Sequence, residues 1–233
     1  MNMNELIKIE NLGKKYVLTH HQGADTASLK ESVRFWKKKR RQQFWAIRNV
    51  HFIGMAGDIV GVVGSNGAGK TTLLNIIAEI TEPTEGKVTY RGRVGAILGA
   101  NTGFHPDLNG LENIYLVTSI MGCARKEVNK KIDEIIEFSE IKDFIHEPVK
   151  RLSTGMIMKL GIAIVLVMMP EILIFDEVIS VIDQKFTDKV YQKLMDETRK
   201  NRITFIVNHN QRFIDEICNK ILDLNKNPAK AES

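Results

Sequence analysis

Eight consecutive residues, Gly64-Ser65-Asn66-Gly67-Ala68-Gly69-Lys70-Thr71, constrain this chain more than any other stretch. They follow Ile59–Val63, a nearly all-apolar run, and precede Leu73, Ile76, Ile77 and Ile80, whose spacing predicts one apolar helix face. Strand, glycine-rich turn and helix in that order make a cradle for phosphate. Glycines let backbone N–H groups turn inward with no Cβ in the way, and the helix start adds its partial positive charge. Gly64, Ser65, Asn66, Gly67, Ala68, Gly69, Lys70, Thr71 and Thr72 are thus the expected nucleotide contacts. Lys70 would reach the β- and γ-phosphates, and Thr71 would offer a hydroxyl to Mg2+. The plain alternative is a glycine-rich turn with a stray lysine, and the flanking strand and helix argue against it.

Two more runs share this layout. Ile172 to Phe175 ends on Asp176-Glu177, and Ile203 to Val207 ends on Asn208-His209. Short continuous apolar runs suit parallel strands buried on both faces. In open parallel α/β sheets, ligands bind beyond the carboxyl ends of the strands. The fold class is therefore α/β with a mostly parallel sheet, and three strand ends are expected to share one site. Asp176 is the carboxylate for the metal. Successive strand residues point to opposite faces, so Glu177 suits a different task, orienting or deprotonating the attacking water. A solvated strand-end charge is its bland alternative. His209 reads either as a sensor of the γ-phosphate or as a structural histidine.

Between these runs, Leu111 to Phe138 and Met156 to Met169 read as helices, a mostly helical insertion closed by Pro170. From Val17 to Gln43 the pattern turns polar and basic. There Ser28 and Glu31 form a capping-box signature, Leu29, Val33 and Trp36 share a helical face, and Lys37-Lys38-Lys39-Arg40-Arg41 follows. A formal net charge of +5 allows nucleic acid, an anionic membrane face or a phosphate-rich ligand and demands none of them. No apolar segment is long enough to cross a bilayer; the strongest, Leu160 to Pro170, meets Glu171 at once. The start, Met1-Asn2-Met3-Asn4-Glu5, lacks the pattern of a secretory leader. Cys123 and Cys218 form no metal or redox spacing and read as small hydrophobes. The expectation is a soluble, intracellular chain.

Leu152-Ser153-Thr154-Gly155-Met156, upstream of the Asp176-Glu177 strand, resembles the signature sequence of ABC ATPases, with Thr154 and Met156 as variants. With the glycine loop, Asp176-Glu177, the Asp183 loop and His209, the resemblance covers nearly the whole chain in that family's order. It implies an α/β P-loop NTPase with an ABC ATPase core, an N-terminal antiparallel β subdomain and a helical signature subdomain. On that reading residues 1–233 are one nucleotide-binding domain, with a basic insertion at 17–43 and a helical subdomain at about 103–169. The cofactors implied are ATP and Mg2+, in a head-to-tail homodimer. Ser153 and Gly155 of one chain would close on the γ-phosphate held by the other, with Asp183 beside it, or Ser153 is simply a helix N-cap. Family position suggests Tyr16 for stacking on adenine; Phe44 and Trp45 compete, and an ordinary core aromatic is the bland alternative.

The stretches from Gly103 to Ile114 and from Pro148 to Met156 are similar to those of bacterial cell-surface polysaccharide exporters, as is the long insertion between Tyr16 and Phe44. That resemblance implies an ATPase paired with a separate integral membrane permease, peripheral at the cytoplasmic face. The substrate implied is a lipid-linked O-antigen, teichoic acid or capsular polysaccharide. The basic run Lys37 to Arg41 would face anionic lipid or the glycan's pyrophosphate, or be a solvated face. The chain departs from the wider family in lacking a glutamine near Ala100-Asn101 and in carrying Asn208 before the histidine. No carbohydrate-binding domain is expected after Asp223. A different ABC transporter class, or a soluble ABC ATPase acting on nucleic acid or ribosomes, is the alternative, although nucleic acid is not the expected partner.

Overall fold

The computed structural model of the chain describes residues 2, 4–19, 41–97, 103–176, 182–198, 201–208 and 211–226. Two sheets and a helical layer organise them. The first sheet is antiparallel, in the order β2 (Arg41–Met55), β1 (Glu5–Thr19), β4 (Glu85–Tyr90). The second is parallel throughout, in the order β5 (Val94–Ile97), β6 (Ile172–Asp176), β7 (Ile203–Val207), β3 (Ile59–Val63), β8 (Lys220–Asp223). The three apolar runs of the sequence are therefore adjacent central strands, buried because both faces of this sheet are covered.

Between the sheets lies α1 (Lys70–Ile77), whose Leu73, Leu74, Ile76 and Ile77 are buried with Ile7, Ile9, Ile47 and Val60. Ile80, expected on the same helix face, is instead exposed and past the helix end. The cause is local. Glu79 turns left-handed at φ 59, and the N–H groups of Ile80 and Thr81 fold back onto the Asn75 carbonyl at 2.9 and 3.2 Å. That closes the helix before a third turn can form.

The other face of the parallel sheet carries the helices. α2 (Gly110–Ile120) and α3 (Arg125–Ser139) divide the long helical stretch at Gly122, where φ is 73. α4 (Thr154–Met168) packs among α3, β5 and α5 (Gln184–Thr198), and α6 (Gln211–Ile217) follows β7. Ten of the 15 residues of α4 are buried, so its hydrophobicity serves the core. Among the described residues no helix is long and apolar enough to cross a membrane. Arg93, just before β5, forks onto Glu127 of α3 at 3.0 and 3.2 Å and ties the helical layer to the sheet.

The ends of the basic insertion differ from what polarity predicts. β1 and β2 keep pairing beyond Tyr16 and Phe44, through Val17↔Gln43, Leu18↔Gln42 and Thr19↔Arg41. Val17 and Gln43 are both exposed, so no apolar alternation marks their pairing. The helix expected after Ser28, with Glu31, Trp36 and the run Lys37 to Arg40, lies outside the described residues.

Candidate nucleotide site

β3 sits between β7 and β8, one strand in from the edge of the sheet. The register sets Asp176 beside Val207 and Gly61 beside Ile206. The ends of β6, β7 and β3 therefore lie side by side, as the three apolar runs predict. Asp176 is half-exposed at the end of β6, and Asn208 follows β7. Glu177, His209, Ala100 and Asn101 lie outside the described residues.

The loop leaving β3 closes a turn, with the Ala68 N–H donating to the Ser65 carbonyl at 3.0 Å. Gly67 and Gly69 take φ of 82 and 93, the left-handed region that glycine enters without strain. At Gly69 space forbids any side chain as well, because a Cβ would collide with the Ala46 carbonyl of β2. Lys70 folds over the loop, its ammonium donating to the carbonyls of Gly64 at 2.8 Å and Ser65 at 3.2 Å. Gly69 caps α1 with no side-chain hydrogen bond. Thr71 and Thr72 stand in the first turn, Thr71 exposed. The first amides of such a helix have no partner inside the helix, which suits an anion.

From this loop a cleft of about 440 Å³ runs toward the antiparallel sheet, lined among others by Tyr16, Phe44, Asn66, Gly67, Lys70 and Thr71. Tyr16 and Phe44 are cross-strand partners with ring centroids 5.8 Å apart and planes 29° from parallel. The competition among three aromatics narrows here. Trp45 is buried at 8% exposure and is covered by Lys15 and Arg48, 4.7 and 4.6 Å from its ring. Tyr16 and Phe44 together form the aromatic wall.

A hydroxyl at Thr71 and a carboxylate at Asp176 are hard oxygen donors. This is the donor set Mg2+ takes in phosphate sites, where it uses one or two protein oxygens beside those of the phosphates. Thr71 and Asp176 fit the ion.

The start of α4 is a second feature. Ser153 caps it, its hydroxyl accepting the Met156 N–H at 3.2 Å, so the simple capping role holds in the single chain. Gly155 faces open space, with nothing within 4 Å of an added Cβ. Asp183 is exposed but tied on both sides. One carboxylate oxygen accepts the Phe186 N–H at 3.0 Å, and the other pairs with Lys159 of α4 at 2.7 Å. The Lys159 hydrogen bond, then the Phe186 amide, hold the Asp183 carboxyl below the usual carboxylate range. Burial works against the Lys159 charge, but its bonds to Asp183 and Glu140 outweigh that and raise its pKa. Glu140, at the end of α3, accepts from Lys159 at 2.8 Å while holding a left-handed φ of 59.

Two ties here escape sequence reasoning. Asn113, fully buried, accepts the His105 N–H and donates to the carbonyls of His105, Leu108 and Asn109. It knits the stretch from Gly103 to Ile114 to α2. Asn225 accepts from both the amide and the hydroxyl of Ser65, across 160 residues. The capping box at Asn109 and Glu112 is a readable signal for the first; nothing in the sequence announces the second.

A glycine-rich loop between a buried parallel strand and a helix, with a carboxylate at a nearby strand end, defines a P-loop nucleotide-binding protein. Residues 47–180 match the ABC transporter family. The chain is 38% identical over 221 residues to the O-antigen export system ATP-binding protein RfbB of Klebsiella pneumoniae, covering 94% of this chain and 90% of that protein. It is 40% identical over 232 residues to the teichoic acids export ATP-binding protein TagH of Lactococcus lactis, covering 99% of this chain and 49% of that protein. A dimeric post-hydrolysis ATP-binding cassette bound to ADP and Pi superposes with a TM-score of 0.71 over 94% of each chain, at 23% identity, which speaks for the fold. The chain belongs to the ABC transporter family, and its fold is that of the ATP-binding cassette.

Proposed function

We propose that this chain is the ATP-hydrolysing subunit of an ABC exporter for a lipid-linked cell-surface polysaccharide of O-antigen, teichoic acid or capsule type. The observation that carries this reading is the 38% identity to an O-antigen export ATP-binding protein across nearly the full length of both chains. The exposed phosphate cradle and aromatic cleft support the ATPase half of it.

In this mechanism Tyr16, backed by Phe44, stacks on adenine. The amides from Asn66 to Thr72 surround the phosphates, with Ser65 at the loop's entry, and Lys70 exchanges its two loop carbonyls for the β- and γ-phosphate oxygens. Thr71 and Asp176 hold Mg2+, which when bound offsets charge on the phosphates. Glu177 orients the attacking water, and His209 holds the γ-phosphate. Two copies of the chain pair head to tail. Ser153 then gives up its cap to the partner's γ-phosphate, Gly155 lets the backbones approach, and Asp183 sits at the seam. Closure on ATP and reopening after hydrolysis drive two copies of a separate integral membrane permease. The chain works as a peripheral subunit at the cytoplasmic face, and residues 1–233 act as one nucleotide-binding domain.

The test uses a Glu177→Gln chain, which is expected to lose turnover by about 10²- to 10⁴-fold, keep ATP binding and accumulate as a dimer. Purified from its native membranes, that trapped dimer should carry an integral membrane protein with it. ATPase activity of the parent complex should rise with a lipid-linked polymer of the exported kind. Undiminished hydrolysis by the Glu177→Gln chain, or a membrane-free complex with nucleic acid or ribosomes, refutes the proposal.

A further inference from the structure

All three polar groups of Ser65 have partners. Its carbonyl accepts the Ala68 N–H at 3.0 Å and the Lys70 ammonium at 3.2 Å. Its amide N–H and its hydroxyl both donate to one atom, Asn225 Oδ1, at 3.0 and 3.1 Å. A backbone N–H only donates, so the atom facing Ser65 is the side-chain oxygen of Asn225 and not its nitrogen. Asn225 is itself held. It lies in the 3₁₀ turn Leu224–Lys226 that follows β8, and its own N–H donates to Asp223 Oδ1 at 2.9 Å. β8 pairs with β3 in the register Val63↔Asp223, so the two strands deliver Gly64 and Leu224 side by side.

We infer that Asn225 is a positioning residue for the nucleotide loop. It pins Ser65 at the loop's entry and turns that amide away from the phosphates, so that the amides further along meet the ligand in fixed register. The inference rests on the nucleotide reading above. In the empty loop Lys70 ties down the carbonyls of Gly64 and Ser65. Once its ammonium moves to phosphate, those ties are gone, and Asn225 and the Ala68 N–H are left to restrain the first turn. A loop held in its bound shape loses less freedom on binding, so Asn225 acts on affinity for the nucleotide more than on the chemical step.

The experiment measures Mg·ATP binding and steady-state hydrolysis of the full chain. Asn225→Ala is expected to raise Kd and KM by about three- to tenfold, the range for two exposed hydrogen bonds, with kcat within about twofold of the parent. The double variant Ser65→Ala/Asn225→Ala should bind no more weakly than Asn225→Ala, because both changes act through one contact. Asn225→Asp keeps the acceptor and adds a charge, so its KM should approach the parent value at high ionic strength, where that charge is screened. A parent-like KM for Asn225→Ala, a loss confined to kcat, or additive losses at Ser65 and Asn225 overturn the inference. If Asn225→Ala does not fold, Asn225→Gln takes its place with the same expected direction, and a parent-like KM there is equally fatal. Lys70→Ala runs beside them. If it alone weakens binding, only the role of Asn225 falls; if it binds Mg·ATP like the parent, the nucleotide reading falls.

Discussion

The helix after the glycine loop and the helix that carries Ser153 begin in opposite ways. α1 starts from Gly69 in a left-handed turn with no side chain over its first amides, and the cleft opens directly onto them. α4 starts from Ser153, whose hydroxyl already serves the Met156 amide, and among the described residues nothing comes within 4 Å of an added Cβ at Gly155. Among the described residues one helix start has no side-chain cap and has a pocket; the other has its cap and open space. The first is built to bind a small anion alone. In the proposed function the second is met by the surface of another copy of the chain. A helix N-terminus thus tells little until its cap and its surroundings are read together.

The sharpest way to break this contrast is Gly155→Leu. An added Cβ at Gly155 meets nothing within 4 Å among the described residues, and leucine favours a helix over glycine, so the isolated chain should fold normally. ATP affinity of the monomer should hold while turnover and ATP-dependent pairing fall by about 10²-fold, followed by hydrolysis assay and size-exclusion chromatography. Full turnover in that variant would mean that α4 meets no partner. Lys70→Ala should do the reverse, weakening ATP binding about ten- to hundredfold by calorimetry whether or not chains pair. Tyr16→Ala should cost a smaller factor, about three- to tenfold in ATP affinity, because one stacked ring is lost while Phe44 still lines the cleft. Parent-like affinity would move the adenine elsewhere.

The smallest effect concerns acid. Glu127, bonded to Arg93, and Glu140, bonded to Lys159, have carboxyls held below their ordinary range. A depressed folded-state value means the unfolded chain binds more protons in acid, so these pairs stabilise the fold above pH ~4.3 and stop doing so as pH falls through the lowered values. Melting temperature should therefore drop below that pH. Glu140→Gln should flatten the acid limb only slightly, since such partly exposed pairs contribute about 1 kcal/mol or less.

Much of the nucleotide side is legible in the amino-acid sequence, and much of its support is not. The glycine loop and the three strands that converge on one site are readable because they obey local rules of spacing and hydrophobic runs. Asp176 closes β6, one residue beyond the apolar run. The Asn225 latch and the Lys159 bridge from Glu140 to Asp183 join residues far apart in sequence, and no periodicity encodes them. Ile80 leaves its expected helix face for a local reason of another kind, a left-handed Glu79 that composition does not announce. The pairing of Val17 with Gln43 is hidden because hydrophobic pattern is silent where both partners face solvent.

The walls of the cleft belong to different sheets. Tyr16 and Phe44 come from the antiparallel one, and the glycine loop grows from the parallel one, with Ala46 of β2 packed hard against Gly69. Whatever fills the gap from ring to loop becomes a mortar between two slabs that also meet through α1 and through contacts such as Phe52 on Phe205. Occupancy and rigidity are then one variable: the filled molecule is stiffer across that seam than the empty one, and heat should separate its slabs later as the ligand concentration climbs.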